Sequence, residues 1–300
     1  MMNLKKFSKL IALTAMVGLL GTVAVGCGGN SAKETNADKP AASAQKGSIQ
    51  VKGSDTIVNL SQKMAETYME KNKDANIAVT GGGSGTGIKA LINGTTDLAN
   101  ASREMKDEEK KELKEKTGKD TKEIVIARDG IGFIVNKDNP VKELTMDQLS
   151  DIYTGKVSNW KELGGPDEKI VVYARETSSG THVFIKEHVM KNKDYRTDAL
   201  LQSSNAAIVK EVEANKGAIG YVGLGYLKDT TKTLGVKKDG QSAAVMPSEA
   251  TVKDKSYPVS RPLFVYAAGE PEGLAKSFVD FMLSDEGQQI VKSMDFVTAK

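Results

Sequence analysis

Residues 170–190 read IVVYARETSSGTHVFIKEHVM. The opening run from Ile170 to Ala174 is rich in β-branched residues and predicts a strand. The closing run, 181–190, carries apolar residues at helical spacing and predicts a helix. Between them, Arg175, Ser178, Ser179, Gly180 and Thr181 put a cation, hydroxyls and a bare backbone into one strand-to-helix turn. Three more segments have the same character. Gly53-Ser54-Asp55-Thr56 joins a strand at 48–51 to a helix over 57–71, whose Leu60, Met64, Ala65 and Tyr68 recur at helical spacing. Residues 81–87 (GGGSGTG) join a strand at 77–79 to a helix at 88–92, and Ala101-Ser102-Arg103-Glu104 is the fourth segment. Strands alternating with helices define an α/β protein built on mainly parallel sheets.

The remaining chain fits this pattern. Strands are expected at 124–127 and 131–135, flanking Asp129-Gly130, and at 218–222 and 262–266. Helices are expected over 145–153, with Thr145 as cap, and over 274–283 and 285–293. Residues 106–116 alternate charges three and four apart, the pattern of a solvated helix face. No linker-like break interrupts the chain after residue 47, so two lobes would have to be joined by structured crossings. Residues 127–135 and 257–262 are the candidates.

The amino terminus carries an address. Lys5, Lys6 and Lys9 precede an apolar run at 10–25, which ends in Ala24-Val25-Gly26 before the chain's single cysteine, Cys27. This is the form of a bacterial export signal over 1–26, and the run is short for a membrane span. A lone cysteine in an exported chain has no intramolecular partner. Its position resembles a lipobox, with Ala24 where leucine is usual, and makes Cys27 the expected lipidation site. Residues 27–47 lack aromatic and large aliphatic residues and read as a flexible tether. The formal charge of +3 equals the three leader lysines, leaving the exported protein near neutral. Aromatic residues show no stacking pattern beside basic ones, which argues against nucleic acid.

The four junctions point to an oxyanion. A helix amino terminus offers unpaired N–H groups and partial positive charge. Glycine lets backbone approach a ligand, hydroxyls add donors, and arginine adds a forked charged contact. Each serine or threonine could merely cap a helix; four such junctions in one chain favour a binding site. Nucleotide motifs fail: Ile88 separates Gly87 from Lys89, breaking the phosphate-loop spacing, and glycines at every second position make no G-x-G-x-x-G. His182 and His188, six apart, do not share a helix face as a zinc pair would. His182 is expected near the rim of the site or on the surface. No cofactor, metal or catalytic pair is expected.

In this order, GSDT, GGGSGTG, ASRE and RETSSGT resemble the phosphate-binding protein of the bacterial ABC phosphate transporter. So do residues 152–165 (IYTGKVSNWKELGG) and 218–222 (AIGYV), and the likeness runs from Ser48 to the end. The resemblance implies a two-lobed periplasmic-binding-protein fold of type II, with ligand between the lobes. Lobe I would comprise 48–128 plus 258–300 and lobe II 129–257. It implies a receptor that delivers inorganic phosphate to ABC permease subunits; with the leader and Cys27, the expectation is a lipid-anchored monomer on the outer face of the cell membrane. Carried over by motif, Ser54, Thr56, the Ile57 backbone and Ser84 would hold phosphate from one lobe, with Ser102 and Arg103 in the third segment. Arg175, Ser179, Gly180 and Thr181 would hold it from the other. Where the enterobacterial pattern has an aspartate that accepts the phosphate proton, this chain has Arg103. Asp55 is therefore the expected acceptor, with Glu176 second. The alternatives are a receptor for sulfate or molybdate, a secreted phosphatase, or a structural surface lipoprotein.

Overall fold

The computed structural model describes residues 46–299. The export signal, Cys27 and the tether up to residue 45 lie outside the described residues. The first strand, β1 (Gly47–Gly53), begins one residue earlier than expected and buries Ile49 and Val51. It is followed by α1 (Val58–Lys71), β2 (Ala75–Thr80), α2 (Ser84–Ile92), β3 (Leu98–Ala101) and α3 (Asp107–Thr117). In α1 the expected stripe of Leu60, Met64, Ala65 and Tyr68 is the buried face. In α3 only Leu113 is buried, as its charge pattern requires.

The next element departs from expectation. In place of two strands flanking Asp129-Gly130, a single strand β4 runs unbroken over Thr121–Asn136. Then come β5 (Glu143–Thr145), α4 (Met146–Thr154), β6 (Val171–Arg175), α5 (Gly180–His188) and β7 (Leu200–Gln202). They are followed by α6 (Asn205–Ala214), β8 (Ala218–Gly223), β9 (Thr231–Thr233), β10 (Gly235–Lys237) and α7 (Glu249–Lys253). The chain returns through β11 (Ser260–Ala268) and closes with α8 (Gly273–Leu283), α9 (Asp285–Ser293) and β12 (Val297–Thr298). Thr145 caps α4, its hydroxyl accepting the Gln148 N–H at 3.1 Å.

The main sheet has the order β2-β1-β3-β11-β4-β8-β6-β7. Pairing is parallel through β2-β1-β3 at one end and β8-β6-β7 at the other; the central strands β11 and β4 run antiparallel to their neighbours. Strand β4 belongs to both ends. Its first half contributes Ile124, Ile126 and Ala127 to a core with Val51, Leu60, Leu263 and Phe278. Its second half contributes Ile131, Phe133 and Val135 to another core with Tyr153, Trp160, Ile185 and Tyr221. Asp129 and Gly130 lie between the two cores, and β11 pairs with β4 through this point. The fold is that of a two-lobed periplasmic binding protein, with the parallel strands of each core ending near the crossing.

Candidate functional site

Hydroxyls from both sides of the crossing meet at one buried point. Ser54 follows β1 and accepts the Thr56 N–H on its Oγ at 3.2 Å, capping the short turn Asp55–Ile57 that leads into α1. Its own hydroxyl donates to Ser102 Oγ at 3.0 Å. Ser84, the first residue of α2, accepts the Ser102 N–H at 3.0 Å and lies 3.3 Å from Ser102 Oγ. From the other side, Thr181 at the start of α5 meets Thr56, the two Oγ1 atoms 3.0 Å apart. None of these five residues is more than 2% exposed.

Two glycines permit the approach. A Cβ on Gly180 would lie 2.3 Å from Ser84 Oγ and 2.7 Å from Ser102 Oγ. Gly83 has φ 95°, and a Cβ there would lie 2.6 Å from the Ser178 carbonyl oxygen. That carbonyl accepts the Gly85 N–H at 2.9 Å. The amino ends of α1 (through its leading turn), α2 and α5 thus face one buried locus, an arrangement that favours an anion.

A buried ion pair completes the locus. Asp129 on β4 and Arg261 on β11 are direct cross-strand partners. Arg261 donates from Nε and Nη2 to Asp129 Oδ2, at 3.2 and 2.9 Å. Its Nη1 donates to the Ser102 carbonyl at 2.9 Å, and its Nη2 also reaches Thr181 Oγ1 at 2.9 Å and Thr56 Oγ1 at 3.4 Å. The other carboxylate oxygen of Asp129 accepts the Leu224 N–H at 2.9 Å. Burial pushes the Asp129 carboxyl up and the Arg261 guanidinium down, and their mutual attraction opposes both shifts. The result is a buried carboxylate held by a cation that also reaches the hydroxyls of Thr56 and Thr181.

Of the residues singled out from sequence, Ser54, Thr56, Ser84, Ser102, Gly180 and Thr181 gather here. Ile57 follows Thr56 with its side chain in the first core, and Ser179 caps α5 through the His182 N–H at 3.4 Å. Three of the four charged candidates are engaged elsewhere. Arg103 grips Glu109 through both Nη atoms at 2.8 and 2.7 Å. Arg175 donates to the Gln202 and Ser203 carbonyls at 3.3 and 2.8 Å. Asp55 Oδ2 accepts from the Asn205 N–H at 2.9 Å and Nδ2 at 2.7 Å, and lies 3.3 Å from Arg175 Nη1. Glu176 is exposed. His182 is not at a surface: it is buried behind Arg175, its Nδ1 2.7 Å from that carbonyl and its ring stacked on Tyr195. Asp55, expected to accept the phosphate proton, thus has its carboxylate on Asn205 and Arg175, and the carboxylate tied to the hydroxyl cluster, through Arg261, is Asp129.

Asp129 and Arg261 escaped the sequence reading. Both stand inside the segments marked as crossings, Asp129 just before the apolar run 131–135 and Arg261 just before the strand expected at 262–266.

Comparison with known proteins gives the family. Residues 38–286 match the family model described as a PBP superfamily domain, so the chain is a member of that superfamily of binding proteins. Within it, the chain belongs to the family of the phosphate-binding protein PstS. The Staphylococcus epidermidis protein of that name is 38% identical over 286 residues, covering 90% of this chain and 85% of the relative. The Staphylococcus aureus protein is 36% identical over 284 residues, covering 90% and 84%. Among solved structures, a Clostridium perfringens protein described as a phosphate ABC transporter substrate-binding protein, with phosphate bound, superposes with a TM-score of 0.77. It is 37% identical, and the match covers 85% of this chain and all of that one. An ABC-type phosphate transport receptor from Vibrio cholerae superposes with a TM-score of 0.69 at 28% identity, covering 84% and 100%.

Proposed function

We propose that this chain is the receptor that binds inorganic phosphate outside the cytoplasmic membrane and delivers it to an ABC importer. The observation that carries this reading is the meeting of Ser54, Thr56, Ser84, Ser102 and Thr181 around the buried Asp129–Arg261 pair. The family membership and the phosphate-bound relative support it. A lipid on Cys27 would hold the receptor at the membrane, on the strength of the leader sequence alone.

In this reading the lobes, 48–128 plus 258–300 and 129–257, move about β4 and β11 and close over one phosphate. The hydroxyls, the amino ends of α1, α2 and α5, and Arg261 donate to its oxygens. Asp129 accepts the proton that hydrogen phosphate still carries at neutral pH. Sulfate has no such proton, so it would face Asp129 with an unpaired negative charge. An unsatisfied buried group costs about 1–3 kcal/mol and more when charged, which is roughly five- to more than a hundredfold in affinity. Arg103, Arg175 and Asp55 support the site from outside it. Binding, with no bond made or broken in the ligand, is the whole activity.

Calorimetric titration with phosphate and then sulfate tests this. The expected result is saturable phosphate binding, with sulfate at least about a hundredfold weaker. In Asp129→Asn the discrimination should collapse, and phosphate affinity should fall by at least tenfold. Equal binding of the two anions by the unmodified protein would overturn the acceptor role. Binding of neither would overturn the receptor reading.

A further inference from the structure

The contacts of Asp55 bridge the two sides of the crossing. Asp55 sits on the first-lobe side, in the turn leading into α1, yet the partners of its side chain lie on the other side of the crossing. Its Oδ2 takes the backbone N–H and the side-chain amide of Asn205, the first residue of α6, at 2.9 and 2.7 Å. The same oxygen lies 3.3 Å from Arg175 Nη1. The Asp55 carbonyl accepts the Tyr226 hydroxyl at 2.9 Å, also from the far side. Asn205 is fully buried and Arg175 is 1% exposed. Arg175 Nη1 has no hydrogen-bond partner of its own, so the Asp55 carboxylate is the charge that compensates it.

We propose that Asp55 is an interlobe latch, a positioning residue that sets how long phosphate is held without touching it. The inference rests on the phosphate-receptor reading and adds a separate element to it. The contacts require the α1 turn and the α6 amino end to be together, so they exist only when the lobes are apposed. A contact made in only one of two conformations shifts the population toward that one. Opening must break a charge-assisted cluster and leave the buried Arg175 without its counter-charge, which slows release. Formation of the first encounter complex, with the lobes apart, gains nothing from it. The latch therefore governs the release rate and leaves the association rate and the choice of anion to the hydroxyl locus.

The test is the rate at which radiolabelled phosphate leaves the full chain on dilution into unlabelled phosphate, measured together with the association rate and the phosphate-to-sulfate ratio. Asp55→Asn keeps the size and loses the charge. Asn205→Asp sets a like charge against Asp55 at a helix start, where aspartate is well tolerated, and keeps the oxygen that accepts the Gly223 N–H at 3.3 Å. Both variants should release phosphate about tenfold faster, equivalent to about 1.4 kcal/mol, with association and the anion ratio unchanged. Unchanged release in either variant overturns the latch. A collapse of the anion ratio in Asp55→Asn also overturns it, returning Asp55 to the anion itself. An unmodified chain that retains no phosphate overturns the receptor reading beneath it, a result distinct from either.

Discussion

Gly180 is the position at which a single methyl group decides whether the two halves can meet. As the first residue of α5 it would be better served, for helix stability alone, by alanine, which is favoured over glycine by about 1 kcal/mol. Its Cβ would nonetheless lie 2.3 Å from Ser84 Oγ, well inside van der Waals contact. Gly180→Ala should therefore leave the thermal midpoint within a few degrees of the parent while phosphate affinity falls at least about a hundredfold, or roughly 3 kcal/mol. Parallel melting curves and calorimetry would check this; an alanine variant that binds like the parent would refute the close approach. At this scale the sequence was informative where the signal was local. That Ser54, Thr56, Ser84, Ser102, Gly180 and Thr181 come together could be read because glycine and hydroxyls at a strand-to-helix turn carry a signal within a few residues. Asp129 and Arg261 could not, because they are 132 residues apart in the chain and acquire their role only through the pairing of β4 with β11. Asp55 was legible as important but not as to what it faces.

Among the elements, α3 shows how a solvated helix can still brace the site. Glu109 accepts the Lys106 N–H at 2.9 Å, closing the first turn, and holds Arg103 in a two-pronged pair directly after Ser102. Burial pushes the Glu109 carboxyl up, but Arg103 and the Lys106 N–H outweigh it and hold the group below its ordinary value near 4.5. A depressed carboxylate contributes stability that is present above its unfolded pKa and lost as pH falls through the folded one. Glu109→Gln should thus cost about 2 kcal/mol at pH 7, with the difference from the parent closing as pH falls through and below the ordinary carboxylate range. Denaturant titrations at several pH values measure it, and a gap that stays constant with pH would contradict the ion-pair account. The longer elements were visible through periodicity, as in the α1 stripe and the charge pattern of α3. Strands β5, β7, β9, β10 and β12, of two or three residues, hold too little pattern to be read, and their existence depends on neighbours. Helix α6 was missed although Ile208, Val209 and Val212 form its buried face and Ser204 caps it. The separation of β4 into two strands failed for a tertiary reason. Asp129-Gly130 reads locally as a break, but β11 pairs across it and Arg261 neutralises the charge there.

For the whole molecule, the α/β class followed from the alternation of strands and helices, and the two-lobed form from a resemblance. The physical basis of that form is the division of one strand between two cores. Ile126 and Phe133, seven residues apart on β4, are buried in different clusters. The point of division carries Asp129, a charge that neither core could hold unpaired, since breaking a buried pair costs about 3–5 kcal/mol. Arg261 supplies the partner and at the same time reaches the hydroxyls of Thr56 and Thr181. In the proposed function, hinge, charge and ligand locus would coincide, and ligand recognition and lobe closure would draw on the same residues. The most direct measurement is a crystal structure of the protein grown with phosphate. The account predicts one phosphate bound between the lobes, within hydrogen-bond distance of Thr56, Ser84, Thr181 and Arg261, with its proton directed at Asp129. A phosphate held away from Arg261, or one bound with the lobes apart and Asp129 facing no oxygen of it, would contradict the account.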